Sequence, residues 1–225
     1  TWSSCATNET WPPGGTPAAN SFAVGGGLRY LGEMRRQSAL DCDLETDRFH
    51  LRRAGRVQTF LLTRRWRRDP ELLEGLFLSP QPHSLIGWWF RGPNPNGRSR
   101  FAHAIVAKSS GAVIGLHIVV RQPDGSAYCH VALHDRAWWG KGAVVETRAR
   151  LLHHFFANGV TRFGATIDAG NAPSIFNYRR LGFRVRGNAT TYHRDPLTGR
   201  GRPAVELELR REDWLERSSG EPLEQ

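Results

Sequence analysis

"WWGKGAVVETRARLLHHFFANGVTRF", residues 138–163, decides the fold. Two tryptophans run into a Gly-Lys-Gly turn. From about Gly142 to Asn158 the apolar residues Val144, Val145, Leu151, Leu152, Phe155 and Phe156 then fall at a/d-like spacing, and Gly159 stops the pattern. The pattern predicts a long helix with one apolar face and two glycines at its mouth. A helix N-terminus leaves backbone N–H groups without intrahelical partners and carries the positive end of the macrodipole. Gly140 and Gly142 remove side chains that would hold a phosphate off those groups, and Lys141 adds a point charge. This describes an anion site whose natural guest is pyrophosphate. Taken alone, two glycines are better read as a tight strand-to-helix turn, so the neighbouring segments decide.

Upstream, "DRFHLRRAG" (47–55) reads as a strand, and "DPELLEGLF" (69–77) and "PHSLIGWWF" (82–90) as short helical pieces, the first capped by Asp69 beside Pro70. "RFAHAIVAK" (100–108) and "AVIGLHIVVRQ" (112–122) alternate like two strands joined by a tight turn, and "AYCHVALHD" (127–135) is a further strand. Downstream come a strand in "VTRFGATID" (160–168) and a second helix from Asn171 to Leu181. Two closing strands, in "FRVRGNATTYH" and "AVELELR", flank the turn-rich "RDPLTGRGRP". Strands, helix, strand, helix, strands describe a mixed sheet covered by helices, an α+β (mixed α/β) chain.

The first 27 residues are rich in Gly, Pro, Thr and Asn and lack periodicity. The expected organisation is a flexible arm over 1–45, one domain over 46–215 and a tail over 216–225. Met34 is the only methionine, and the stretch beginning there would make an ordinary protein start, so residues 1–33 are expected to be an upstream extension.

The chain has 225 residues, 39% of them hydrophobic and 23% charged, enough to bury a full core. Its net charge of +10 points to an anionic partner: nucleic acid, a membrane surface or a phosphorylated ligand. Of its 31 basic residues only Lys108 and Lys141 are lysines, so the excess is arginine, which a GC-rich genome also produces. Nucleic acid is therefore kept open and not favoured. Cys5, Cys42 and Cys129 are odd in number and share no CxxC spacing, which argues against a disulfide framework, against a metal site and for the cytoplasm. No apolar run approaches the roughly 20 residues that span a bilayer, so no membrane partner is expected.

Residues from about Thr46 to Leu215 resemble the GNAT superfamily of acetyl-CoA-dependent N-acetyltransferases, and specifically the branch that acetylates ribosomal-protein N-termini. Four stretches carry the resemblance: "ETDRFHLRRA", "SGAVIGLHIV", the 138–163 segment and "NAPSIFNYRRLGFRVRG" (171–187). It implies a mostly antiparallel central sheet of about seven strands flanked by helices, and an enzyme that uses acetyl-CoA as cosubstrate with no metal. The family's Gln/Arg-x-x-Gly-x-Gly/Ala loop falls on Trp139, Gly140, Lys141, Gly142, Ala143 and Val144, whose backbone would hold the CoA pyrophosphate. Val144, at the final small position, would crowd the helix start. Asn171 matches the asparagine that helps hold the pantetheine arm, and it also suits a helix N-cap.

Acetyl transfer from a thioester to an amine needs a neutral nucleophile, stabilisation of the oxyanion and a proton for the departing thiolate. The resemblance assigns that proton first to Tyr178 and second to Ser174. Tyr178 has a plain alternative as a tyrosine packed on the sheet before Leu181 and Phe183. Thr166 stands where some relatives carry a glutamate base, so that role lies elsewhere or is vacant. His130 and His134 share one face of an alternating strand and titrate in the right range. Asp135, Asp168 and Glu146 are further candidates that more often mean a solvated carboxylate or a helix-start glutamate. The acceptor wall is expected between Thr59 and Gly97, with arginines at 64, 65, 67 and 68 and with Trp88, Trp89 and Phe90, unless the tryptophans plug the core. The acceptor is a peptide N-terminus, a small amine or an RNA-linked aminoacyl group. The alternatives to an active enzyme are a catalytically idle CoA-binding module and a nucleic-acid-binding protein. The sequence leaves monomer and homodimer equally open.

Overall fold

The computed structural model describes residues 39–64, 84–92, 94–186, 191–194 and 201–220. The expected helix over 69–77, Cys5, most of the arm, Arg65, Arg67, Arg68 and the centre of the 194–203 turn lie outside the described residues. Among the described residues nine strands make one sheet in the order β1-β2-β3-β4-β5-β6-β9-β7, with β8 also paired to β9. They are β1 (Leu44–Glu45), β2 (Phe49–Arg53), β3 (Arg100–Ala107), β4 (Val113–Arg121), β5 (Ser126–Leu133), β6 (Arg162–Asp168), β7 (Arg184–Val185), β8 (Thr191–Arg194) and β9 (Gly201–Arg210). All neighbours are antiparallel except β5 and β6. The sheet is mixed, as the sequence pattern predicts, and mostly antiparallel, as the resemblance implies. It exceeds about seven strands because β1 and β7 are two residues each, too short to leave an alternating pattern.

Among the described helices, α1 (Arg56–Thr63) and α2 (Leu85–Arg91) lie between β2 and β3, α3 (Ala143–Ala157) joins β5 to β6, α4 (Ala172–Arg180) follows β6, and α5 (Arg211–Gly220) follows β9. The α3 stripe builds the main core. Phe155 meets Phe101 and Phe163 edge-on at centroid distances of 5.2 and 6.3 Å, and Phe156 meets Phe163 at 5.2 Å. Each such fully buried ring contributes roughly 1.5–3 kcal/mol of transfer free energy. The helix ends where Val160 N–H bonds the Phe155 carbonyl around Gly159 at φ 94°, a conformation that favours glycine. A second, smaller core of Ala54, Ala102, Leu116, Ile118 and Ala132 lies on the other face of the sheet, with Leu62 of α1 packed on it. The two faces therefore carry different helices: α3 and α4 on one, α1 on the other.

Two boundaries move. Leu40 and Leu44 are buried in the main core, so the folded unit begins before residue 46. Helix α5 runs through the expected end at 215 because Trp214 is buried beside Phe156. A single apolar anchor in "REDWLERSSG" leaves no helical periodicity. Helix α1 escaped prediction for a related reason: its buried positions are Thr59 and Thr63, whose hydroxyls donate back to the Gly55 and Thr59 carbonyls, while Leu61 faces solvent.

Candidate active site

Strands β5 and β6 run parallel for three residue pairs only, Ser126–Arg162, Ala127–Phe163 and Tyr128–Gly164. Beyond Tyr128 each keeps its other neighbour, β5 pairing with β4 as far as Leu133 and β6 with β9 as far as Asp168, so the two part in the middle of the sheet. Gly164 marks the parting point: a Cβ there would stand 2.8 Å from the Tyr128 ring, so only glycine lets that ring lie across the last rung. Past it the β5 backbone has groups with no β6 partner, and one of them, the Cys129 carbonyl, accepts a hydrogen bond from the Tyr178 hydroxyl at 2.8 Å.

The connection from β5 to α3 brings the predicted anion loop to the same end of the gap. Gly142 is the α3 N-cap at φ 74° and ψ 1°, and Gly140 sits at φ 72°. A Cβ built on Gly140 would meet nothing within 4 Å, so the space before the loop is open. The first bond of the helix runs from Glu146 N–H to the Gly142 carbonyl. Among the described residues, the N–H groups of Gly142, Ala143, Val144 and Val145 meet no acceptor, which leaves them for a ligand. Val144 packs against the main core instead of crowding the loop. Trp138 meets Phe49 edge-on at 5.1 Å, while the Trp139 indole N–H donates to the Leu133 carbonyl at 3.2 Å. These contacts pin the loop to β2 and β5. Lys141 is exposed beside it. The open N–H groups suit an anionic group at the α3 N-terminus, and the gap leaves room for an extended ligand beside it.

Arg48 is a residue of this site that the sequence reading missed. Its Nε donates to Glu146 Oε2 at 2.6 Å, its backbone N–H to Glu146 Oε1 at 3.1 Å and its Nη1 to the Lys141 carbonyl at 3.1 Å, so it braces the loop against the first turn of α3. Although burial raises the Glu146 pKa, hydrogen bonds from Thr46 and Arg48 hold it below the usual carboxylate value. Glu146 is thus a structural anion, and its candidacy as a base is corrected. Asp135 caps the short 3-10 turn at Arg136–Trp138 by accepting from Ala137 N–H. Asp168 accepts from Gly170 N–H. Asn171 caps α4 by accepting from Ser174 N–H at 3.1 Å, as its alternative role required.

The strand that carries His130 ends before His134. His130 lies within β5, but the strand ends at Leu133, and the His134 N–H turns to the Ile114 carbonyl. His130 falls on the side of β5 away from α3, because Ala127, Cys129 and Val131 pack on the main core and Ala132 on the other. Burial, with the Arg148 and Arg100 charges, holds its imidazole well below the usual value, so it is neutral and weakly basic at pH 7. Thr166 is exposed and faces Glu206 across the β6–β9 pair. Trp88 is fully buried and meets Phe60 at 5.8 Å, whereas Trp89 and Phe90 are exposed, so the aromatic run divides between core and wall.

Beneath the gap the core is polar, which the sequence reading also missed. Tyr178 is buried against Phe183, its centroid 4.8 Å away, and the Arg148 guanidinium carbon lies 4.0 Å above its ring. His117 Nε2 meets Thr147 Oγ1 at 2.9 Å, and its Nδ1 lies 3.6 Å from Cys129 Sγ. The signal was available: Arg148 stands four residues after Val144 and three before Leu151, on the apolar stripe itself.

A helix N-terminus with open N–H groups beside a parted strand pair offers a place for an anionic ligand with an extended arm. Residues 48–184 match the model of the acetyltransferase (GNAT) domain, and the chain belongs to that family. Its fold is similar to that of a probable GNAT-family acetyltransferase from Chromobacterium violaceum at 18% identity and a TM-score of 0.64, covering 77% of this chain and 88% of that one. It is similar to ribosomal-protein-S5-alanine acetyltransferase from Vibrio fischeri at 18% identity and 0.61, covering 77% and 99%. Spermidine N-acetyltransferase from Vibrio cholerae, in complex with CoA and spermine, aligns at 14% identity and 0.63, covering 76% and 99%. A search of curated proteins found no match. Family membership implies acetyl-CoA as the cosubstrate. Among the described residues no helix is long and apolar enough to cross a membrane, and no group of three or more His, Cys, Asp or Glu side chains is placed to hold a metal.

Proposed function

We propose that the chain transfers the acetyl group of acetyl-CoA to the primary amine of a peptide or protein N-terminus by direct attack. The observation that carries this reading is the convergence of the open α3 N-terminus and the Tyr178 hydroxyl on one gap between β5 and β6. The N–H groups of Gly142 to Val145 hold the pyrophosphate, and Asn171 holds the pantetheine arm on the α4 side. Unpaired β5 backbone past Tyr128 lines the arm and the carbonyl. The amine attacks the thioester carbon, a C–N bond forms, and the C–S bond breaks with its electron pair on sulfur. Tyr178 gives its proton to that sulfur, and Ser174, one turn earlier on α4, is the second candidate. The amine proton leaves past His130 and His134. The weakly basic imidazole of His130 suffices there, because the ammonium of the tetrahedral adduct is far more acidic than a free ammonium; the proton passes to solvent, from which the Tyr178 phenolate is reprotonated.

The acceptor side is the face opposite α3. There α1 and α2 expose Val57, Leu61, Leu85, Ile86, Trp89 and Phe90, and Arg56 stacks on Trp89 at 4.7 Å. An apolar and aromatic wall suits peptide side chains, and the net charge of +10 works against a polycation such as a polyamine. This supports the peptide-acetylating branch over the polyamine one. The test measures thiol release from acetyl-CoA with N-terminal peptides, small amines, polyamines and aminoacyl-RNA, together with mass spectra of each acceptor. Peptides should gain one acetyl group in step with thiol release. Fastest turnover of a polyamine would overturn the acceptor assignment. CoA binding with no turnover on any acceptor would favour an idle CoA-binding module, and salt-sensitive RNA affinity indifferent to CoA would favour a nucleic-acid-binding protein.

A further inference from the structure

Arg148 is 2% exposed, among the largest fully buried side chains. Among the described residues no carboxylate pairs with it, and its Nε has no hydrogen-bond partner. An arginine buried without a carboxylate is destabilising unless something else uses its charge. Its guanidinium lies over the ring face of Tyr178, 4.0 Å from the centroid, while the hydroxyl of that ring points at the Cys129 carbonyl at the mouth of the β5–β6 gap.

The acid–base chemistry of the site gives the charge a use. An ordinary phenol, with a pKa of about 10, is a weaker acid than an ordinary thiol at about 8.5, so proton transfer from tyrosine to a departing thiolate runs uphill. Burying the phenol makes it steeper, because burial disfavours the phenolate. A cation fixed over the ring does the opposite, since its attraction grows when the ring gains a full negative charge. We propose that Arg148 is a positioning residue that acts through Tyr178: its buried guanidinium makes the Tyr178 hydroxyl a strong enough acid to protonate the leaving thiolate. The inference rests on the reading of Tyr178 as the acid.

Arg148 is the charged side chain stacked on the Tyr178 ring, and the groups described around that ring are neutral or exposed. From β5 comes Cys129, which takes a hydrogen bond from Arg148 but whose thiol burial pushes up, against that charge, and so keeps neutral. From β4, behind it, comes His117, which burial and the Arg148 charge hold well below the ordinary imidazole value and so keep neutral. On α4 itself Ser174 and Asn177 are uncharged, and Arg179 and Arg180 are exposed. Across the gap β6 presents Ala165 and Ile167 to this core.

The test titrates Tyr178 directly, with no acceptor needed. The chain has four tyrosines, so the ultraviolet phenolate signal of Tyr178 is isolated as the difference between the parent and Tyr178→Phe, and again between Arg148→Met and the Arg148→Met/Tyr178→Phe double variant. The midpoint should rise by about one pH unit or more in Arg148→Met, with Arg148→Lys in between. Should Arg148→Met not fold, Arg148→Gln supplies the same comparison. In turnover, the alkaline limb of kcat should move with the midpoint, and Arg148→Met should slow the parent at least tenfold while changing nothing in the Tyr178→Phe background. An unmoved or lowered midpoint overturns the inference whatever the kinetics show. A raised midpoint with undiminished turnover in Tyr178→Phe overturns instead the acid reading on which it rests.

Discussion

A side chain at Gly142 would act on the backbone and on the ligand space at once, and two substitutions separate the effects. Valine at φ 74° meets the left-handed penalty that β-branched residues suffer most, of roughly 1–3 kcal/mol, so Gly142→Val should lower the melting temperature as well as the affinity for CoA. Asparagine tolerates that conformation, so Gly142→Asn should recover most of the melting temperature while its side chain still displaces the pyrophosphate. Calorimetric titration with CoA and a thermal scan of both variants make the comparison. Unchanged CoA affinity in folded Gly142→Asn would remove the loop from the site. The loop was legible because its chemistry is local: glycine spacing, a lysine and a helix start within a few residues. Arg48 was not, since it reaches Glu146 and the Lys141 carbonyl across more than 90 positions of sequence, and nothing in "TDRF" says where its side chain will go.

Helix α4 and the strands beneath it carry two expectations. Tyr178→Phe removes one hydroxyl from a packed ring, leaving the Cys129 carbonyl without its donor at a cost of about 1 kcal/mol. Turnover should fall far more, by roughly 10²- to 10⁴-fold for a lost general acid, and towards the lower end because a thiolate leaves partly unaided. Ser174→Ala should then be nearly neutral; the reverse pattern assigns the proton to Ser174. Strands β3 and β4 add a pH dependence. Burial holds His103 down to about 4 and His117 well below 6.5. The unfolded chain, with histidines near 6.5, therefore binds more protons than the folded one as pH falls from 6.5 towards 4. Stability is fully present above that window and is lost through it, by about 2 kcal/mol for a histidine like His103 at pH 5. Urea midpoints at pH 7 and pH 5 measure this loss, and His103→Asn should shrink it. A midpoint unchanged between the two would show that these imidazoles are not buried neutral. The alternating runs foretold these strands, but pattern alone does not show that a histidine on an apolar face meets a threonine hydroxyl.

At the scale of the whole chain, periodicity and turn residues foretold the alternation of strands and helices from residue 100 to residue 181 but not α1, and the resemblance carried by residues 138–163 and 171–187 supplied the topology. Hidden from both was the parting of β5 from β6, which no residue encodes by itself: it follows from Tyr128 lying across Gly164 while β4 and β9 hold the two strands on separate paths. The aromatic run at 88–90 was ambiguous for the same reason, since burial depends on which face α2 turns to the sheet. Everything proposed for the site depends on that gap receiving the thioester. A crystal structure of the chain with CoA tests it most directly. The account predicts the pyrophosphate oxygens within hydrogen-bond distance of the N–H groups between Gly142 and Val145, the pantetheine arm between β5 and β6, and the sulfur beside the Tyr178 hydroxyl. CoA bound elsewhere, or bound with the sulfur remote from Tyr178, would contradict it.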